Sequence, residues 1–239
     1  MLEKVYLIGE HHLDLLSKQR YSHAFTRFQP DNISLEQISP AAQDLERAGN
    51  FLAGFKQPEA MLNCLGLGIY SAAQEYAASN SQVGIHFIEE ISGVTEELIN
   101  AGITLSKENL SKLNLVKLIY QQAVIKPIWP DFASNILDWS IIYTSLVEYI
   151  STGQDILQAN SQLDALYPLL DTFDLDNKAV VYEQFDEVVL TKILSLDGTV
   201  VHGGGLNHIF GQYNNLYEKI KAKGIEVERY KLISFNNDH

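Results

Sequence analysis

The sequence predicts an α/β fold, with a mainly parallel sheet built from the two ends of the chain and a large helical insertion between them. Three observations carry this reading. Short apolar runs rich in β-branched and aromatic residues stand at 3–9, 31–37, 81–90, 198–205 and 225–233, and runs of that length bounded by glycine or proline read as strands. Helical periodicity separates the first from the second and the fourth from the fifth, as parallel crossovers require. Residues 50–175 otherwise read as helix, placing the insertion inside a single domain that spans 1–239.

Taken in order, "EKVYLIG" (3–9) is the first strand, ended by Gly9. Leu13, Leu16, Tyr21, Ala24, Phe25 and Phe28 then recur at roughly helical spacing until Pro30 stops them. "DNISLEQ" (31–37) follows a Pro-Asp turn signal as the second strand. A helical stretch over 57–79 leads to the third strand candidate, "SQVGIHFIEE" (81–90). Leu113, Val116, Leu118 and Ile119 belong to one helix of the insertion, and a longer one runs from Phe132 to Ile150. The two prolines of "KPIWP" (126–130) separate these helices. "GTVVHGGG" (198–205) is the next strand. A helix over 211–224 then carries lysines in its last turn and Gly224 just past its end, where a left-handed residue closes a helix. "IEVERYKLI" (225–233) is the last strand.

Bulk composition narrows the function. Lysine and arginine total 17 against 30 aspartates and glutamates, a formal charge of −13. That charge disfavours nucleic acid and anionic membranes, which bind basic surface. The single cysteine, Cys64, excludes an intrachain disulfide and reads as a small core residue. The most apolar helix candidate, "ILDWSIIYTSLVEYI", is interrupted by Asp138 and Glu148 and is too short to span a bilayer. No signal peptide is evident, so the expectation is a soluble, cytoplasmic protein acting on a small molecule or peptide.

Two stretches concentrate the histidines. "VYLIGEHHLD" (5–14) and "TVVHGGGLNH" (199–208) hold four of the seven, and both follow one local plan: apolar strand, glycine, histidine, helix. Ligands of parallel α/β sheets bind outside the carboxyl ends of the strands, so the plan points to one shared site. Strand alternation lets only one of His11 and His12 face it. For Gly203, Gly204 and Gly205 two readings stand, a tight strand-to-helix turn or a cradle for a phosphate or cofactor on backbone N–H groups. "HGGG" without a G-x-S-x-G elbow excludes a lipase-type site.

Gly9-Glu10-His11-His12 and Gly205-Leu206-Asn207-His208 are both G-x-x-H, and "PDNISLE" places Glu36 at the end of the second strand between them. In these motifs the chain resembles the TraB/PrgY and Tiki-like family, within the wider erythromycin esterase-like and ChaN-like superfamily. The resemblance implies a hydrolase of peptide or ester bonds, possessing a site of His12, Glu36 and His208. It also implies a divalent metal, and two imidazoles with a carboxylate suit Mn, Zn or Co. Glu10 beside His12 would be a general base or orient a histidine. His202 reads as a further ligand, a transition-state donor or a neutral strand histidine. Glu89 and Glu90 would reach the same edge or sit in solvent. Two other classes remain open: a noncatalytic binder of a metal, haem or small ligand, or an effector whose site has decayed. For haem, Tyr70, Tyr143 and Trp139 are the candidates beside an apolar cleft.

Overall fold

The computed structural model describes residues 1–11, 14–36, 68–87, 156–164 and 179–236, with Ala60, Asn63 and Tyr167 individually. His12, Glu89, Glu90, Cys64, Trp139, Tyr143 and the insertion helices expected between 95 and 150 lie outside the described residues.

Among the described residues five parallel strands form the sheet: β1 (Leu2–Glu10), β2 (Asn32–Leu35), β3 (Gly84–Phe87), β4 (Gly198–Gly205) and β5 (Glu226–Lys231). Their spatial order is β3-β2-β4-β1-β5. The sheet is therefore built mainly from the ends of the chain, with β3 from the middle at one edge. Helices α1 (Ser17–Phe28), α2 (Gly68–Ser79), α3 (Ile156–Asp164), α4 (Ala179–Leu194), α5 (Leu206–Phe210) and α6 (Leu216–Ala222) accompany it.

Alternation along the strands divides the core in two. Ile8, Ile33, Leu35 and Val201 turn toward α1 and α2, packing on Tyr21, Phe25, Ile69 and Ala73. Val5, Leu7 and Val200 turn the other way, onto Val189 and Ile193 of α4, Ile209 of α5 and Ile220 of α6. Parallel sheets need both faces covered, and this one has both.

β1 and β4 are neighbours, paired from Leu2–Gly198 to Glu10–Gly205. From β1 the chain leaves through α1 toward β2, on one side of this pair. From β4 it leaves through α5 and α6 toward β5, on the other side. Adjacent strands whose connections diverge in this way open a crevice at their carboxyl ends. Both histidine stretches end there.

The expected single helix at 211–224 is corrected by the structure. Within that range the helix is shorter: α6 covers Leu216–Ala222 and starts after Asn215, whose side chain accepts the Glu218 N–H at 3.1 Å, while the separate short helix α5 lies before the range and starts directly from Gly205. Asn215 and Glu218 have the spacing of an N-terminal capping pair, so the helix begins where its first free N–H groups find an acceptor. The C-terminal end matches the expectation, with Gly224 at φ +74°. β5 is shorter than expected, because Leu232–Phe235 turn into a 3₁₀ segment that packs on α1. Among the described residues no helix is long and apolar enough to cross a membrane.

Candidate active site at the carboxyl edge

β2 ends at Leu35, and Glu36 follows it directly into the space above β4. One carboxylate oxygen of Glu36 accepts the backbone N–H of Gly205, and its own N–H donates to the Gly203 carbonyl at 3.3 Å. Its other oxygen, Oε1, lies 3.3 Å from Nε2 of His208. His208 is buried on α5, which starts immediately after β4, so the strand end and the helix start together aim its ring. Its Nδ1 donates to Oδ1 of Asp186 at 2.6 Å, and Tyr213 donates to the second Asp186 oxygen at 2.8 Å. Phe185 packs against the His208 ring.

The chain of contacts therefore runs Tyr213, Asp186, His208, Glu36. Burial raises the pKa of Asp186, while its hydrogen bonds from His208 and Tyr213 and the charge on His208 pull it down. With Nδ1–H given to Asp186, a neutral His208 offers only a lone pair at Nε2. An ionised Glu36 likewise offers only lone pairs. A contact of 3.3 Å between them thus calls for positive charge: a proton on one partner, or a cation between the two.

Asp186 was not found from sequence. It lies on α4, a helix so rich in valine that it also reads as strand, and no helix is expected there. The signal is nevertheless present. Asp186, Val189, Leu190 and Ile193 are all buried, at i, i+3, i+4 and i+7, so an acid occupies the apolar stripe. A buried carboxylate needs a partner.

Of the residues expected at the site, Glu36 and His208 are brought into contact, and His12 is outside the described residues. Gly203, Gly204 and Gly205 are part of β4 with no positive φ, which corrects the tight-turn reading. Their role is close approach. A Cβ on Gly203 would strike Ile69 and come within 2.8 Å of the Tyr21 hydroxyl; one on Gly204 would strike Glu36 and come within 3.1 Å of His202 Nε2. The Gly205 N–H is given to Glu36 and so is not open to a phosphate. His202 is buried, its Nδ1 3.1 Å from the Ser34 hydroxyl. Burial holds its pKa down at about 4, with the charge of Glu36 opposing that shift and the charge of His208 adding to it. Tyr70 lies half-buried on α2 against Phe87, and His86 pairs with Asn32 at 2.7 Å.

Glu10 and His11 fall on the other face. The charge of Glu10 acts on Tyr21 and Tyr167, and the His11 ring lies 4.3 Å from that of Tyr167. Here Arg20 forms the centre of a buried network. It donates to Asp14 at 2.5 Å, to both oxygens of Asp164 at 2.9 and 2.8 Å, and to Asn236 at 2.7 Å. Tyr167 also donates to Asp14, at 2.6 Å, and Asn160 accepts the Leu15 N–H at 2.8 Å. The whole of this network anchors the turn after β1.

Two places gather donors of the kind that hold a divalent ion. Among the described residues, one trio has ligand atoms within 4.8 Å of one another: His11, Asp14 and Asp164. It does not fit, because Arg20 already supplies the positive charge to both of its carboxylates. Glu36 with His208 does fit by donor chemistry: a carboxylate oxygen faces an imidazole nitrogen whose other nitrogen is backed by a carboxylate, the usual support of a metal-binding histidine. No family model, curated protein or solved structure matches the chain.

Proposed function

We propose that the chain is a hydrolase of ester or peptide bonds, working at the carboxyl edge of the sheet. The observation that carries this reading is His208 held between two carboxylates, Asp186 at 2.6 Å and Glu36 at 3.3 Å. The motif resemblance to the TraB/Tiki-like and erythromycin esterase-like proteins supports it, as does the position of the pair at the strand crevice.

In the working state, Glu36 is ionised and His208 carries a proton on Nε2, its charge balanced by Asp186. Water adds to the substrate carbonyl while Glu36 takes its proton. The carbon–leaving-group bond then breaks as His208 gives its Nε2 proton to the departing oxygen or nitrogen. The proton on Glu36 passes to Nε2 and restores the starting state. Where a divalent ion is bound, Glu36 and His208 would hold it, with His12 as the proposed third ligand, and the ion would lower the pKa of water.

The test uses p-nitrophenyl acetate and an internally quenched peptide, each with and without Mn, Zn or Co. Wild type should turn over at least one of them. Glu36→Gln and His208→Ala should lose about 10²–10⁴-fold in kcat, the usual worth of a positioned acid or base. His12→Ala should lose activity while His11→Ala keeps most of it. Absence of turnover in wild type under every condition would sink the reading. A metal-dependent rise in melting temperature without turnover would favour a binder instead.

A further inference from the structure

His202 has a feature that the acid–base pair does not use. Its side chain is buried to 1% exposure, and among the described residues Nδ1 shares a hydrogen bond with Ser34 Oγ at 3.1 Å, with the Ser34 backbone also meeting the ring. Nε2 has no hydrogen-bond partner among them. It lies 3.1 Å from where a Cβ on Gly204 would sit, a position that would also collide with Glu36. Gly204 thus opens the space between Nε2 and the carboxylate, and the charges of both Glu36 and His208 reach the ring.

Ser34 bears on which nitrogen carries the proton. It is fully buried on β2, and its hydroxyl has no partner among the described residues except His202. If Nδ1 donated to the Ser34 hydroxyl, the hydroxyl hydrogen would be left without an acceptor in the core, which is costly. If Ser34 donates to Nδ1, the hydroxyl is satisfied and the imidazole proton moves to Nε2. That leaves an uncharged N–H donor turned toward the Glu36 side of the sheet.

We propose that Nε2–H of His202 donates to the carbonyl oxygen of the substrate and holds the oxyanion that forms when water adds. This rests on the hydrolase reading and deepens it, since it makes the substrate a carbonyl compound, an ester or amide. The electron accounting is simple. The carbonyl π pair moves to oxygen as the water oxygen bonds to carbon, and Nε2–H hydrogen-bonds to that oxygen without giving up its proton. The pair returns when the leaving group departs with the proton from His208. Ser34 is a positioning residue, which sets the tautomer.

Two measurements test this. Nitrogen NMR of the ¹⁵N-histidine-labelled full chain at pH 7 should show His202 protonated at Nε2, and Ser34→Ala should mix the two tautomers. A wild-type signal with the proton on Nδ1 overturns the proposal. In p-nitrophenyl acetate hydrolysis, His202→Ala should lower kcat about 10²–10³-fold, the usual cost of one oxyanion donor, and leave KM within about twofold. His202→Gln, which keeps an N–H donor, should recover part of the loss. A folded His202→Ala enzyme with wild-type kcat defeats this role alone, whereas a Glu36→Gln enzyme with wild-type kcat, or an inactive wild type, defeats the hydrolase reading beneath it.

Discussion

The carboxyl edge of the sheet buries ionisable groups on both faces, and the two faces balance their charge differently. On the α1 face, a permanent cation stands among its acids: Arg20 donates to Asp14 and Asp164, and every contact is shorter than 3 Å. On the α4 face Asp186 has no arginine or lysine partner among the described residues; His208 and Tyr213 hold it. An arginine stays charged at any working pH, so its network is fixed. A histidine changes charge near neutrality, so a chain of acid, imidazole and acid can take up and release a proton. The first arrangement suits an anchor and the second suits chemistry.

The anchor should fail first in stability. Arg20→Ala leaves Asp14 buried with its charge unbalanced, and breaking such a pair costs about 3–5 kcal/mol. Urea unfolding should show that loss, and a change below 1 kcal/mol would contradict the anchor role. Glu36→Gln should move the same midpoint far less, because Glu36 is partly exposed and the amide oxygen can still accept the Gly205 N–H while its NH₂ faces a neutral His208 Nε2.

Asp186→Asn sharpens the contrast from the other side. It keeps the shape but can turn its NH₂ to His208 Nδ1 and reverse the tautomer. Activity should fall about 10²–10⁴-fold while the melting temperature changes by only a few degrees. Equal loss in both would make Asp186 a packing residue.

The buried histidine of the α4 face has a signature in pH. The pKa of His202 in the folded chain is about 4, against an ordinary value of 6.5. The unfolded state therefore binds more protons between these values, and stability falls as pH drops from about 7 toward 4, then levels from this source. The shift corresponds to roughly 3 kcal/mol. His202→Gln should remove that part of the slope when unfolding is followed across pH 4 to 7. An unchanged slope would mean that His202 titrates normally.

The smallest effect lies on the α4 face, away from the acid–imidazole chain. Asn215→Ala removes the cap of α6 and should cost about 1 kcal/mol without changing activity. An activity loss there would mean that α6 reaches into the site.

How much of this was legible in the sequence follows from where the signals are local. β1 and β4 were readable because each is a continuous apolar run ended by glycine, and a parallel strand buried on both faces must look like that. Glu36 and His208 were readable as strand-end residues, although their contact depends on β2 pairing beside β4. Asp186 was not, since the valines of α4 also read as strand and its acid meets His208 only across the fold. The role of the triple glycine was misread for a similar reason. Glycine announces room, but only the neighbours Ile69, Tyr21, Glu36 and His202 show what fills it. The Arg20 network joins residues 14, 20, 164 and 236 and has no local pattern at all.

The most direct test of the division between the faces measures ester hydrolysis and urea unfolding on the same preparations of Glu36→Gln and Arg20→Ala. The account predicts a Glu36→Gln protein that unfolds near the wild-type midpoint yet has lost at least about 10²-fold in kcat, and an Arg20→Ala protein that unfolds much earlier but keeps kcat within about tenfold under conditions where it remains folded. The reverse pattern, with Glu36→Gln unstable and active and Arg20→Ala stable and inactive, would place the chemistry on the α1 face and contradict it.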